Sequence, residues 1–183
     1  MQTSVLTSAK TKWVLDPSHS ELLFKVKHLM ISNVKGEFQK FDAEISGDDF
    51  LTSKINVTID ASSISTNNEQ RDAHLKSADF FDVENHKELS FTSTSFKQVD
   101  DENYQLKGIL TMKGVSKEIM LDVEVGGISK DPWGNEKAGF SVKGKINRKD
   151  WGLNWNAALE TGGVLVSDEV KISGEVQFVK QTK

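Results

Sequence analysis

Four stretches of this chain read as strands with a glycine on the apolar side: Val34-Gly36-Phe38, Leu106-Gly108-Leu110, Val142-Gly144-Ile146 and Ile172-Gly174-Val176, each taken at every second residue. The residues between them are mostly polar, among them Lys35, Glu37, Lys107, Lys143, Lys145, Ser173 and Glu175. Successive side chains of a strand point to opposite faces, so one face of each run is set for burial and the other for water. Glycine inside a strand costs entropy and contributes no packing. It is tolerated where a sheet bends sharply or where something needs the room. Four such positions imply a sheet curled around an interior, which holds either its own side chains or a guest.

Composition narrows the classes further. A chain of 183 residues fits one domain with a sizeable core. With 37% hydrophobic and 27% charged residues it suits strands that each keep one wet face. The net charge of −4 is mixed in sign and forms no basic stripe, which argues against nucleic acid as a partner. Cysteine is absent, which removes disulfides, thiol nucleophiles and thiolate metal sites. Met1 to Lys12 is polar, without the apolar stretch of a signal peptide, and is expected to be a flexible arm ahead of a single domain over residues 13–180. No run approaches the ~20 apolar residues of a membrane span, so stable membrane insertion is not expected. The chain as given reads as cytoplasmic; a removed signal peptide would make it periplasmic or secreted.

Strand patterns occupy most of the chain. Leu22, Phe24, Val26 and His28 alternate with Leu23, Lys25 and Lys27. A second run extends from Val34 to Ile45, with a register slip between Phe38 and Phe41 that marks a bulge or bend. Ile55, Val57, Ile59 and Ala61 follow, then Leu89 to Phe96. Asp100 to Asn103 reads as a hairpin turn into Tyr104–Met112, and Gly114 turns the chain into Ile119–Val125. Gly126-Gly127 and Asp131 to Asn135 punctuate the next connection, before Phe140–Ile146 and Val170–Phe178. The alternation amounts to roughly eight strands. One segment departs from it. Thr66-Asn67-Asn68-Glu69 has the form of a capping box, and Gln70 to Ser77 suits a short helix. After it, Phe80 and Phe81 are adjacent aromatics that a turn would let bury together.

The fold class is therefore all-β: an antiparallel eight-stranded β-barrel with one short helix, with a β-sandwich as the rival. Closure removes the sheet edges that invite aggregation. An eight-stranded barrel is just wide enough to be filled or to hold one small ligand.

The order of the motifs adds to this. The relevant stretches are Asp16 to Ser20 (DPSHS), Phe24 to His28 (FKVKH), Val34 to Phe38 (VKGEF), Arg71 to Asp82 (RDAHLKSADFFD), Gly108 to Lys117 (GILTMKGVSK) and Ile146 to Gly152 (INRKDWG). Together, from about residue 13 to 179, they resemble the YceI-like family of lipid-binding, lipocalin-like extended barrels. The resemblance implies a long apolar pore holding an amphiphile such as a polyisoprenoid, isoprenoid quinone or fatty-acid derivative. Relatives of this kind can form homodimers, and many are exported. The chain departs from the family at His86 to Ser90, where relatives often carry a proline and a β-branched pair.

The inward residues are the binding candidates: Leu22, Phe24, Val26, Val34, Phe38, Leu110, Met112, Leu121, Val123, Phe140 and Val142, joined by His28 near a strand end, Gly108 and Trp151. Burying a tail is worth about 0.8 kcal/mol per methylene before association costs. The alternative is that these residues fill the barrel as an ordinary core. Gly108, mid-strand between Leu106 and Leu110, is expected to make room for the ligand. Trp151 and Trp155 either line the pore mouth or plug one end, the latter with Arg148 paired to an acidic neighbour. Thr161-Gly162-Gly163 reads as a loop or gate. His19 reads as a turn partner, His86 as solvated, and His28 as a donor either to a head group or to a backbone carbonyl. No histidine pair has zinc-ligand spacing, and Asp72 and His74 point to different sides of a helix. No nucleophile elbow, P-loop or dinucleotide fingerprint is present, so neither catalysis nor a cofactor is expected. A hydrolase with a carboxylate or histidine site, for example Asp72 with Asp150, is the remaining enzyme reading.

Overall fold

The computed structural model describes residues 11–47, 49–156 and 165–181. Among them are eleven strand segments: β1 (Lys12–Leu15), β2 (Glu21–His28), β3 (Ser32–Phe38), β4 (Phe41–Ser46), β5 (Lys54–Asp60), β6 (Ile64–Ser65), β7 (Glu88–Gln98), β8 (Asn103–Met112), β9 (Val115–Lys130), β10 (Glu136–Asn147) and β11 (Val166–Gln181). One α-helix, α1 (Glu69–Lys76), lies between β6 and β7. The segments β1-β4-β5-β7-β8-β9-β10-β11 pair in that order, and β11 pairs back to β1. This is a closed eight-stranded antiparallel barrel. The remaining segments prolong three of its strands: β2 continues β1 along β11, β3 continues β4 along β2, and β6 pairs with β3.

Two of the breaks in these paths have a local cause in an aspartate. Between β1 and β2, Asp16 accepts from the Ser18 amide (3.1 Å), the Ser18 hydroxyl (2.7 Å), His19 Nδ1 (2.8 Å) and Lys137 Nζ (2.9 Å). His19 is thus a partner within the turn. Between β5 and β6, Asp60 accepts from the Ser62 amide (3.0 Å) and hydroxyl (2.7 Å). Such carboxylates satisfy amides that a corner takes out of the ladder. Between β3 and β4, the bend anticipated from Phe38 and Phe41 falls at Gln39-Lys40.

Several local readings need correction. Lys12, assigned to an arm, is the first residue of β1 and pairs with both Gln181 and Ser46; residues 1–10 lie outside the described residues. Gly126-Gly127 is no connection. It lies inside the 16-residue β9, where Gly139 faces Gly127 but Phe140 faces Val125, so Gly126 is the extra residue of a bulge. The helix cap is Asn68, whose side chain accepts from the Arg71 amide at 2.9 Å. Thr66 is buried outside the helix: its amide and hydroxyl both donate to Asp72 (2.8 and 2.6 Å), and its hydroxyl accepts from Arg71 Nε (2.8 Å). His86 is half-buried, with its ring against Gly114.

The two ends of the barrel differ. At the end that holds β1 and β4, an aromatic chain closes the interior: Trp13 to Phe50 (ring centroids 5.3 Å), Phe50 to Phe140 (5.4 Å) and Phe140 to Phe178 (5.9 Å). The other end carries α1, the β2–β3 turn and the Arg148–Trp151 3-10 helix. In the β2–β3 turn Leu29 and Met30 both have positive φ (56° and 64°), at about 1–2 kcal/mol each for side chains of this size.

Candidate functional site

The interior holds one large cavity of about 570 Å³, running from the aromatic plug to the α1 end, with a wall that is almost entirely apolar. Its floor is packed core: Ala43, Ile45, Phe140 and Phe178 are all buried. Toward the mouth, residues on the same inward faces, such as Leu22, Val26, Val142 and Ile146, are only half-buried, because they border space instead of neighbours.

Twelve of the fourteen candidates border this cavity: Leu22, Phe24, Val26, His28, Val34, Phe38, Leu110, Met112, Leu121, Val123, Phe140 and Val142. Two do not. Gly108 gives its room to the protein itself. A Cβ there would land in the Phe91 ring and 2.6 Å from the Thr92 carbonyl oxygen. Phe24 covers Gly36 and Leu121 covers Gly144 in the same way. None of these three glycines has a positive φ, so what each position requires is the missing side chain. Trp151, only 2% exposed, is a wedge whose Nε1 donates to the Leu110 carbonyl at 2.9 Å.

Among the described residues, Arg148 has no acidic partner in hydrogen-bond contact. It is buried, and its guanidinium donates to the carbonyls of Ser167 (2.9 Å), Leu153 and Val166 (3.3 Å). Burial lowers its pKa, opposed by the charge of Asp168. The arginine thereby ties the chain after Trp151 to the start of β11. The Thr161-Gly162-Gly163 loop lies outside the described residues.

The sequence reading missed the wall supplied by α1 and the turn after it. Arg71, His74, Leu75, Phe80 and Phe81 all border the cavity, and so does Trp155, for which the sequence left lining and plugging open. His74 Nε2 lies 2.9 Å from Asp79 Oδ2, and its ring meets Trp155 and Phe80 edge-on (centroids 4.6 and 5.1 Å). The adjacent aromatics Phe80 and Phe81 were the available signal; the turn lets both face inward. Polar groups that border the cavity are few: Lys27, His28, Thr66, Asn68, Gln70, Arg71, His74 and the buried Arg148. The carboxyls held below their usual range, Asp16, Asp60, Asp100 and Asp131, owe this chiefly to hydrogen bonds in turns, and none of them borders the cavity. The arrangement is an apolar tube with a sparse polar rim.

Comparison with known proteins matches a YceI-like domain over residues 13–178. The chain belongs to the YceI-like domain family. A UPF0312 protein of Staphylococcus aureus (strain N315) is 45% identical over 171 residues, covering 92% of this chain and 97% of that protein. The crystal structure of the Campylobacter jejuni YCEI protein superposes with a TM-score of 0.73 at 38% identity, over 85% of this chain and 90% of that one. A polyisoprenoid binding domain from Saccharophagus degradans shares the fold at 15% identity, with a TM-score of 0.69, over 92% of this chain and 98% of that one. The YceI-like barrel thus spans nearly the full length of the proteins it matches.

Proposed function

We propose that this barrel binds and carries an amphiphilic lipid with a long apolar tail, of the polyisoprenoid, isoprenoid-quinone or fatty-acid kind, without catalysing a reaction on it. The observation that carries the reading is the apolar cavity of about 570 Å³. It falls within the roughly 300–1,000 Å³ usual for small-molecule sites. The tail would lie along Val142, Leu121 and Phe24, displacing water from half-buried side chains. The head group would meet the rim of Arg71, Gln70, Asn68 and His74. The polyisoprenoid-binding relative of the same fold supports this ligand class.

A barrel with a fully packed interior fits the plugged end but leaves the half-buried inward residues near the mouth without partners. The hydrolase reading finds little support: Asp72 is engaged by Thr66 and Asp150 is exposed. The test is mass spectrometry of an organic extract of the purified protein, paired with displacement of a fluorescent fatty-acid probe from the delipidated protein. A stoichiometric apolar amphiphile that competes with the probe is expected. An empty extract together with no probe binding would overturn the reading.

A further inference from the structure

Four outward-facing lysines stand side by side across four neighbouring strands. Lys145 on β10 faces Lys171 on β11, Lys171 faces Lys25 on β2, and Lys25 faces Lys35 on β3. Lys27, exposed, is the next outward residue along β2. Like charges directly opposite one another destabilise a sheet. None of these five lysines makes an ion pair among the described residues; those that do are Lys12, Lys137, Lys149 and Lys180. Glu37 and Glu169 are the nearest acids along β3 and β11, and neither bridges to the row. A chain with net charge −4 keeps a row of unpaired cations on one patch of wall.

The row ends beneath an apolar tip. The β2–β3 turn exposes Leu29 (40%), Met30 (50%) and Ile31 (82%) in succession. Leu29 and Met30 hold left-handed backbone, where a two-residue hairpin turn favours Asn-Gly. Strain retained on bulky apolar side chains that stay 40–50% exposed points to a use outside the fold. The tip also stands at the cavity mouth. The Leu29 amide donates to the Leu165 carbonyl at 2.9 Å, and Leu165, His28 and Lys27 border the cavity.

We propose that this end of the barrel docks on an anionic lipid bilayer. Leu29, Met30 and Ile31 enter the interface, the lysine row lies against the head groups, and the cavity mouth faces the membrane. Apolar and electrostatic contacts together give the reversible attachment a carrier needs, where either alone is weak. The inference rests on the lipid-carriage reading and adds the place where the lipid enters and leaves.

The test is co-sedimentation of the full chain with large unilamellar vesicles of phosphatidylglycerol and phosphatidylcholine, against vesicles of phosphatidylcholine alone. Retention on the anionic vesicles is expected, with release as salt screens the lysines. K25Q/K171Q is expected to lower partitioning about 25-fold, roughly fivefold for each lysine. L29N/M30G/I31T is expected to lower it about tenfold or more. Both variants should fold, since one relieves repulsion and the other suits the turn, and melting temperatures should hold or rise. None of the substituted residues borders the cavity, so binding of the fluorescent fatty-acid probe in solution should be unchanged. Equal retention of all three proteins, or none on anionic vesicles, overturns the docking while probe binding stands. Absence of probe binding by the unaltered protein strikes at the cavity reading instead. A dimer in sedimentation velocity that the tip variant abolishes would assign the tip to self-association and also overturn the docking.

Discussion

The plugged end and the mouth of this barrel are built from the same alternating strands, yet one is solid and the other hollow. At the plugged end eight strand segments complete the ring, and Trp13, Phe50, Phe140 and Phe178 meet ring to ring across it. At the mouth, α1 and the turn after it take part of the wall, as the cavity-bordering Leu75, Phe80 and Phe81 show. A helix with its side chains is about 10 Å across, where neighbouring strands are about 4.8 Å apart. A wall completed by a helix is therefore wider than one completed by a strand, and inward side chains of ordinary size no longer meet. Filling is a property of circumference here as much as of composition.

The largest effect that would break this comparison is in the plug. Phe140→Ala is expected to cost about 4 kcal/mol, the range for a packed aromatic. Val26→Ala, near the mouth, should cost about 1 kcal/mol or less, because the side chain is only half-buried. The mouth substitution should weaken probe binding more than it weakens the fold. Urea denaturation of the delipidated proteins measures the first quantity and probe displacement the second; equal costs at the two sites would remove the distinction.

Gly108→Val comes next, at about 3 kcal/mol of destabilisation, because the new side chain must push aside the Phe91 ring and meets the Thr92 carbonyl. The denaturation midpoint reports it. A stable variant with reduced lipid binding would show instead that position 108 borders the ligand.

At the seam between wall and helix, Thr66→Ala is expected to cost about 2 kcal/mol, since it removes hydrogen bonds to the Asp72 carboxylate and the Arg71 guanidinium. Asn68→Ala, which removes the helix cap, should cost about 1 kcal/mol. The reverse order of denaturation midpoints would return the cap to Thr66.

The smallest effect concerns pH at the plugged end. Hydrogen bonds from Ser18, His19 and Lys137 hold the Asp16 carboxyl well below the usual carboxylate range. A carboxyl depressed in the folded state stabilises the protein above its unfolded pKa, roughly 3.9, and that contribution is lost as pH falls below it. Stability should therefore decline on acidification from about pH 5 to about pH 3. Asp16→Asn should lower stability at the upper value and flatten the decline. Urea midpoints at the two values decide it; an unchanged slope would mean other carboxyls dominate.

Much of the barrel was legible because strand patterning is local. The alternation of Leu22, Phe24 and Val26 with Lys25 and Lys27 marks the inward face, and twelve of the candidates chosen by that rule border the cavity. The chain did not reveal Arg71 and His74 as wall, because nothing in a helix that begins at Glu69 says which part of the barrel it covers. Gly126-Gly127 looked like a turn because a bulge and a turn both call for glycine, and only the partner strand tells them apart.

The sequence by itself determined which side of each strand is wet and held the local chemistry of several corners. Both depend on contacts within a few residues, as with Asp16 and Ser18 or Asp60 and Ser62. Tertiary structure decided what the inward glycines hold, whether Trp151 lines or wedges, and how wide the mouth stands. Those outcomes depend on which side chain the register lays across the strand, Phe91 over Gly108 and Phe24 over Gly36, and on where the helix joins the wall. Such contacts link residues far apart in the chain, and no short-range pattern encodes them.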